Sequence, residues 1–215
     1  MQMGKIAVVF PGQGSQYVGM GRELFETPAG KTCWQEAGQV LGESWLKLLI
    51  EGPEEELRYT FNAQPAIMLV SITAWKLLQE AEIKPHYMAG HSLGEYSAYV
   101  AAGSIGLRDG LKTVRRRGEL MHHALPQGKG GMAALIGLSR DTVEDVCRAA
   151  SEGDEIVVPA NYNSPEQIVI SGHVKALRRA MALAKEAGAK RAVELAVSGP
   201  FHSLYMKAVE DDLLG

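Results

Sequence analysis

Short continuous apolar runs alternate along this chain with longer stretches in which apolar residues recur every three or four positions. Ile6 to Phe10 is such a run, rich in β-branched residues and stopped by Pro11-Gly12; it predicts a buried parallel strand. The region to about Glu80 reads as mostly helical. Its clearest helix is predicted to begin near Gln64-Pro65, with proline in the first turn, and carries Ile67, Met68, Val70, Ile72, Trp75, Leu77 and Leu78. Tyr87-Met88-Ala89 reads as a second short strand, followed by helix formers from Leu93 to Ala102 and a stop at Gly103. From Leu107 to Leu125 a stripe of Leu107, Leu111, Val114, Met121 and Leu125 predicts another helix. This is strand–helix alternation of α/β type.

Gly128-Lys129-Gly130-Gly131 breaks that pattern. Beyond it, Met132–Gly137 predicts a strand, and Ser139 can cap a helix running to Ala150. Ile156–Asn161 and Gln167–Ser171 predict strands joined by a turn at Asn163-Ser164-Pro165. Val174–Ala187 reads as a helix closed by Gly188, and Arg191–Val197 as a last strand. The order β-α-β-β-α-β is that of a ferredoxin-like unit. Residues 129–197 are therefore expected to form an inserted subdomain, with 1–128 and 198–215 forming the α/β body. The chain would return to the body at Ser198-Gly199-Pro200-Phe201-His202-Ser203.

Composition narrows the classes. At 215 residues, with 46% hydrophobic and 22% charged residues, the chain can bury a substantial core. A net charge of -3 gives no general attraction for nucleic acid or anionic lipid. Cys33 and Cys147 lack any C-x-x-C spacing, which argues against a disulfide framework or a zinc site. The N-terminal apolar run is too short for a signal peptide, and no apolar stretch is long enough for a bilayer; a cytoplasmic protein is expected.

The chemistry concentrates at Gly90-His91-Ser92-Leu93-Gly94, a G-x-S-x-G pattern where a strand turns sharply into a helix. Missing side chains at Gly90 and Gly94 let strand and helix approach, and the first helical amides, Leu93's among them, point where an oxyanion would form. A serine hydroxyl needs a base. Of six histidines, His91 is expected beneath the turn, His122 and His123 on a helix shoulder, and His86 and His173 in structural positions. His202, on a loop after Ser92 in chain order, is the leading candidate. Asp109, Asp141 and Asp145 are explained by helix starts, so a Ser–His dyad is as admissible as a triad. Pro11-Gly12-Gln13-Gly14-Ser15-Gln16 follows the first strand; it lacks a Walker lysine and a third dinucleotide glycine, but Gln13 could supply a second oxyanion amide. In Arg115-Arg116-Arg117, helical spacing sets Arg116 opposite the apolar stripe and the other two on its shoulders. Either Arg115 or Arg117 could reach into a cleft and grip an anion.

Six ordered blocks together resemble the malonyl-CoA:acyl carrier protein transacylases of bacterial type II fatty-acid synthesis. They are Phe10–Gln16, Gln64-Pro65-Ala66, Gly90–Glu95, Arg115–Met121, Asn161–Pro165 and Pro200–Ser203. The resemblance implies an α/β-hydrolase-like body with a parallel sheet and an inserted ferredoxin-like (βαββαβ) subdomain. It implies Ser92 as the acylated nucleophile, His202 as its base, Gln13 and Leu93 as oxyanion amides, and Arg117 as the malonyl-carboxylate ligand. Asn163 would lie near that pocket, and the Phe201-His202 pair favours malonyl over methylmalonyl. The expected partners are malonyl-CoA and an acyl carrier protein, whose phosphopantetheine arm is the acceptor; no metal or cofactor of the enzyme's own is expected. Members of the family continue past this chain's last helix, so a shortened chain lacking some strands is expected. Rival expectations are a serine esterase or thioesterase using the same elbow, a free-standing acyltransferase serving a polyketide synthase, and a non-catalytic carrier-protein docking module.

Overall fold

The computed structural model describes residues 4–126, 128–197 and 199–214, so Ser198, where the chain was expected to re-enter the body, and the C-terminal Gly215 lie outside the described residues. The elements run β1 (Ala7–Phe10), α1 (Arg22–Phe25), α2 (Pro28–Leu41), α3 (Glu43–Glu51), α4 (Glu54–Leu57), α5 (Thr60–Glu80), β2 (Tyr87–Gly90), α6 (Leu93–Ala101) and α7 (Leu107–His123). They continue with β3 (Gly130–Ile136), α8 (Arg140–Ala150), β4 (Val157–Ser164), β5 (Gln167–His173), α9 (Val174–Glu186), β6 (Arg191–Glu194), a 3-10 turn (Leu204–Met206) and α10 (Lys207–Leu214). The chain is an α/β protein. Its contacts divide it into two compact units, Met1–Glu119 and Leu120–Gly215, with the division falling inside α7.

In the first unit β1 and β2 pair in parallel, Ala7 opposite Tyr87 and Phe10 opposite Gly90. The expectation of a buried strand is corrected here. Phe10 is buried, but Val9 is 73% exposed and Tyr87 56% exposed. Side chains alternate across a strand, so Val8 and Phe10 turn to the helical core while Val9 points away from it. That core gathers Trp45, Leu46, Leu49, Ile67, Met68 and Leu111 among others. Thr27 caps α2 by accepting from the Gly30 N–H at 3.0 Å, with Pro28 in the first turn.

The long helix α5 begins at Thr60, not at Gln64-Pro65, and Pro65 lies inside it. Proline has no N–H, so the Phe61 carbonyl one turn earlier loses its helical donor. The guanidinium of Arg115 takes that place, its Nη1 donating to Phe61 O at 3.2 Å. Tertiary contact thus offsets the local cost that made a helix start look favourable at proline.

The second unit carries a four-stranded sheet in the order β4-β5-β3-β6, every neighbouring pair antiparallel. Along β3, Ala133 and Leu135 pack with α8 and α9, whereas Met132 and Ala134 join Val169, Phe201 and Val209 on the opposite face. The period of two therefore feeds two cores. Ser139 caps α8 as expected, accepting from Thr142 N–H at 3.2 Å. β4 extends to Ser164, so the hairpin turns at Pro165-Glu166 rather than at Asn163-Ser164-Pro165. The last strand ends at Glu194, short of Val197. The segment after Gly199 packs on this unit: the Tyr205 hydroxyl accepts from Ile156 N–H at 3.0 Å and donates to Asp154 O at 2.6 Å.

Candidate active site

Ser92 stands between the last residue but one of the β2 turn and the first residue of α6, at φ 53° and ψ -107°. A non-glycine residue there carries strain on the order of 1–3 kcal/mol, which persists only where surrounding structure imposes it. The surroundings do so through glycine. A Cβ on Gly90 would overlap the Gly94 carbonyl carbon, and one on Gly94 would overlap the Phe10 carbonyl oxygen. Backbone therefore packs on backbone at the corner. The turn is closed by Gly94 N–H to His91 O at 2.9 Å and Glu95 N–H to Ser92 O at 3.0 Å. Leu93 opens α6, so its N–H lies among the first-turn amides that lack a helical acceptor.

The ambiguity between the two shoulder arginines is resolved by α5. A Cβ on Gly118 would overlap Phe61 Cα, so α7 lies close against the start of α5. Arg115 is absorbed into that contact, bonding Asn62 Oδ1 at 2.6 Å and Glu119 Oε1 at 2.8 Å, with its guanidinium 4.9 Å from the Phe61 ring centroid. Arg116 is exposed. Arg117 turns to the serine: its Nη2 donates to Ser92 Oγ at 3.1 Å and its Nη1 to Gln64 Oε1 at 2.6 Å. Burial pulls the Arg117 pKa below its ordinary value, and the nearby Tyr96 and Glu95 act in the opposite direction. A guanidinium remains charged under all ordinary conditions, so the site holds a desolvated cation beside a strained hydroxyl.

Gln64 and Thr60 were not singled out as site residues, although both are buried on α5. Gln64 Nε2 donates to Thr60 Oγ1 at 2.7 Å, and Thr60 Oγ1 donates to Gln13 Oε1 at 2.8 Å. Two polar residues spaced i, i+4 at the start of a largely buried helix were the available signal. The loop bearing Gln13 is shaped by Gly14 N–H to Gln16 Oε1 at 2.8 Å and by Ser15 Oγ to Gly12 O at 3.0 Å. Ser92, Leu93, Arg117, Gln64, Thr60 and Gln13 are thus all residues of the first unit.

His202 and Asn163 belong to the second unit. His202 follows buried Phe201, is exposed, and has φ 57°, at positive φ like Ser92 and Glu82. The turn is held by Ser203 Oγ donating to Pro200 O at 2.5 Å. Asn163 is exposed in β4, at a register shift between Tyr162 and Ser164. The other histidines are placed as follows. His86 Nδ1 accepts from Ile6 N–H at 3.1 Å, and His173 caps α9. His122 and His123 close α7, and burial lowers the His122 pKa. His91 is exposed, with its ring beside Gly12, rather than packed beneath the turn. Both cysteines are free and buried, and burial pushes the Cys147 thiol up to about 12. Among the described residues no cluster of ligand side chains could hold a metal ion, and no helix is long and apolar enough to cross a membrane.

The profile of the family described as the acyl transferase domain matches residues 7–215. The malonyl CoA-acyl carrier protein transacylase of Bacillus subtilis is 50% identical over 212 residues, covering 98% of this chain and 67% of that protein. The protein of the same name from Haemophilus influenzae is 47% identical, covering 98% and 68%. Among solved structures, an acyl carrier protein S-malonyltransferase from Vibrio cholerae superposes with a TM-score of 0.93 at 47% identity, covering 98% of this chain and 69% of that one. A malonyl-transacylase in complex with its type II PKS acyl-carrier protein gives 0.94 at 45% identity, covering 98% and 68%. The chain thus spans about two thirds of the length of each of these relatives.

Proposed function

Since this chain belongs to the acyl transferase domain family, we propose that Ser92 carries a malonyl group from malonyl-CoA to the phosphopantetheine thiol of an acyl carrier protein. The protein is an acyltransferase, and its two substrates meet the serine in turn. Ser92 Oγ attacks the thioester carbon while its proton passes to His202. The negative charge on the carbonyl oxygen is held by the Gln13 and Leu93 amides, preorganised donors of the kind that contribute most to acyl transfer. The carbon–sulfur bond breaks, and the CoA thiolate takes the proton from His202. The carrier thiol then attacks the malonyl ester, His202 removes its proton, and Ser92 leaves with that proton restored. No step uses a metal or cofactor of the enzyme's own.

One observation carries the reading: the Arg117 guanidinium lies 3.1 Å from the nucleophile oxygen. A malonyl group on Ser92 would bring its free carboxylate within reach of this fork of donors. An acetyl group would leave the cation desolvated and unpaired, a loss of roughly 1.5–3 kcal/mol, or about tenfold to more than a hundredfold in specificity. His202 is supported as the base by its place in chain order and its strained φ of 57°. Asn163, exposed at a β4 irregularity, is assigned to the rim of the malonyl pocket. The parallel β1–β2 pair with its elbow supports an α/β-hydrolase-like body in the first unit. The β4-β5-β3-β6 order supports a ferredoxin-like insertion at 129–197. The pathway and the absence of a membrane-crossing helix among the described residues favour a cytoplasmic setting.

Intact mass spectrometry after mixing with malonyl-CoA tests the assignment. A malonyl adduct lost in Ser92→Ala is expected, and Arg117→Ala is expected to lose malonyl transfer by at least tenfold more than acetyl transfer. Equal losses for both acyl groups would remove the carboxylate assignment, and dominant release of free malonate would make the enzyme a thioesterase.

A further inference from the structure

We infer that Thr60 is a positioning residue for acyl-group selectivity, acting through a one-way hydrogen-bond chain that links Arg117 to Gln13. The inference rests on the reading of Arg117 as the carboxylate ligand. The chain runs Arg117 Nη1 to Gln64 Oε1 at 2.6 Å, Gln64 Nε2 to Thr60 Oγ1 at 2.7 Å, and Thr60 Oγ1 to Gln13 Oε1 at 2.8 Å. Its direction follows from chemistry. A guanidinium can only donate, so Gln64 must turn its oxygen to Arg117 and its NH2 to Thr60. A hydroxyl has one proton, and with Gln64 donating to it that proton goes to Gln13. Gln13 therefore has its side-chain oxygen engaged, and its amide offers donors to whatever approaches. Every link is set by the fixed charge at the far end.

The burial makes the order strict. Thr60 is 0% exposed and Gln64 1% exposed, so neither can exchange these partners for bulk water. Without the Thr60 hydroxyl, Gln64 loses an acceptor and Gln13 loses the donor that orients it. Both amides can then rotate. Gln64 can turn an NH2 toward Arg117, which loosens the guanidinium, and the loop that carries the Gln13 amide loses its side-chain tie to α5. Thr60 touches neither substrate nor reacting atoms; it acts through Gln64 on Arg117 and directly on the side chain of Gln13.

The test compares acylation of Ser92 by malonyl-CoA and by acetyl-CoA in the full chain, for the parent, Thr60→Val, Thr60→Ala, Thr60→Ser and Arg117→Ala. Valine keeps the shape and removes the hydroxyl; alanine serves if valine folds poorly. Each is expected to lower malonyl-over-acetyl selectivity by about tenfold, and serine to stay within about twofold of the parent. Unchanged selectivity in either hydroxyl-free variant, or equal losses for both acyl donors, overturns the relay. Should Arg117→Ala also leave selectivity unchanged, the carboxylate assignment itself fails; if Arg117→Ala shifts it and Thr60→Val does not, only the relay fails.

Discussion

The two sheets of this molecule differ in how much of their strands side chains cover. In the first unit, β1 and β2 leave Val9 and Tyr87 exposed, and the tightest approach is backbone to backbone among Gly90, Gly94 and Phe10. In the second, β3 and β5 each have five successive buried residues, with side chains filling cores on both faces and a backbone approach of the same kind only where Gly172 meets the Ile156 carbonyl. Side-chain packing can give a little when one partner changes, because rotamers adjust. Backbone contact cannot, and it fixes atoms without placing any side chain in the way. The strained serine stands where geometry is held by glycine contacts. The antiparallel sheet invests instead in stability.

Five substitutions press on this contrast. Gly90→Ala forces a Cβ into the Gly94 backbone and is expected to cost about 4 kcal/mol or more, seen as loss of soluble folded protein. Gly131→Ala in β3 meets only the tip of the Leu177 side chain at 3.2 Å, and its unfolding free energy should stay within about 1 kcal/mol of the parent. Comparable damage from both would erase the distinction. The next effect in size concerns cores. Leu135→Ala, at a position 1% exposed, should cost about 2–5 kcal/mol in denaturant unfolding. Val9→Thr, on the open side of β1, should change stability by no more than about 0.5 kcal/mol. The smallest effect is electrostatic. Hydrogen bonds from Arg179 and Lys175 hold the Glu155 carboxyl at about 2, below its ordinary 4.5. Its contribution is present above pH 4.5 and is lost as the pH falls toward 2. The melting temperature of Glu155→Gln should therefore lie slightly below the parent's at pH 6, and the difference should close in acid.

Much of this was legible in the sequence because it is local. G-x-S-x-G specifies its own corner: both glycines are needed by atoms within a few residues or at the adjoining strand end. The second unit's strands and caps were legible for the same reason, since alternation and Ser139 act over short spans. What escaped depends on distant partners. Arg115 and Arg117 are equivalent shoulders of one stripe until α5 packs against Gly118 and takes the first of them. Thr60 and Gln64 look like ordinary helix polar residues until Gln13, 47 residues from Thr60, completes their bonds. The burial of β1 was overestimated because an apolar run cannot reveal how many layers cover it.

The proline in α5 has a reach beyond its own helix. By withholding one hydrogen it denies the Phe61 carbonyl its helical donor, and Arg115 donates there. Two residues further along α7, the Arg117 guanidinium bonds Ser92 Oγ. An atom that proline does not possess is thus answered from a different helix, and α5 and α7 are tied together at the turn that carries both arginines.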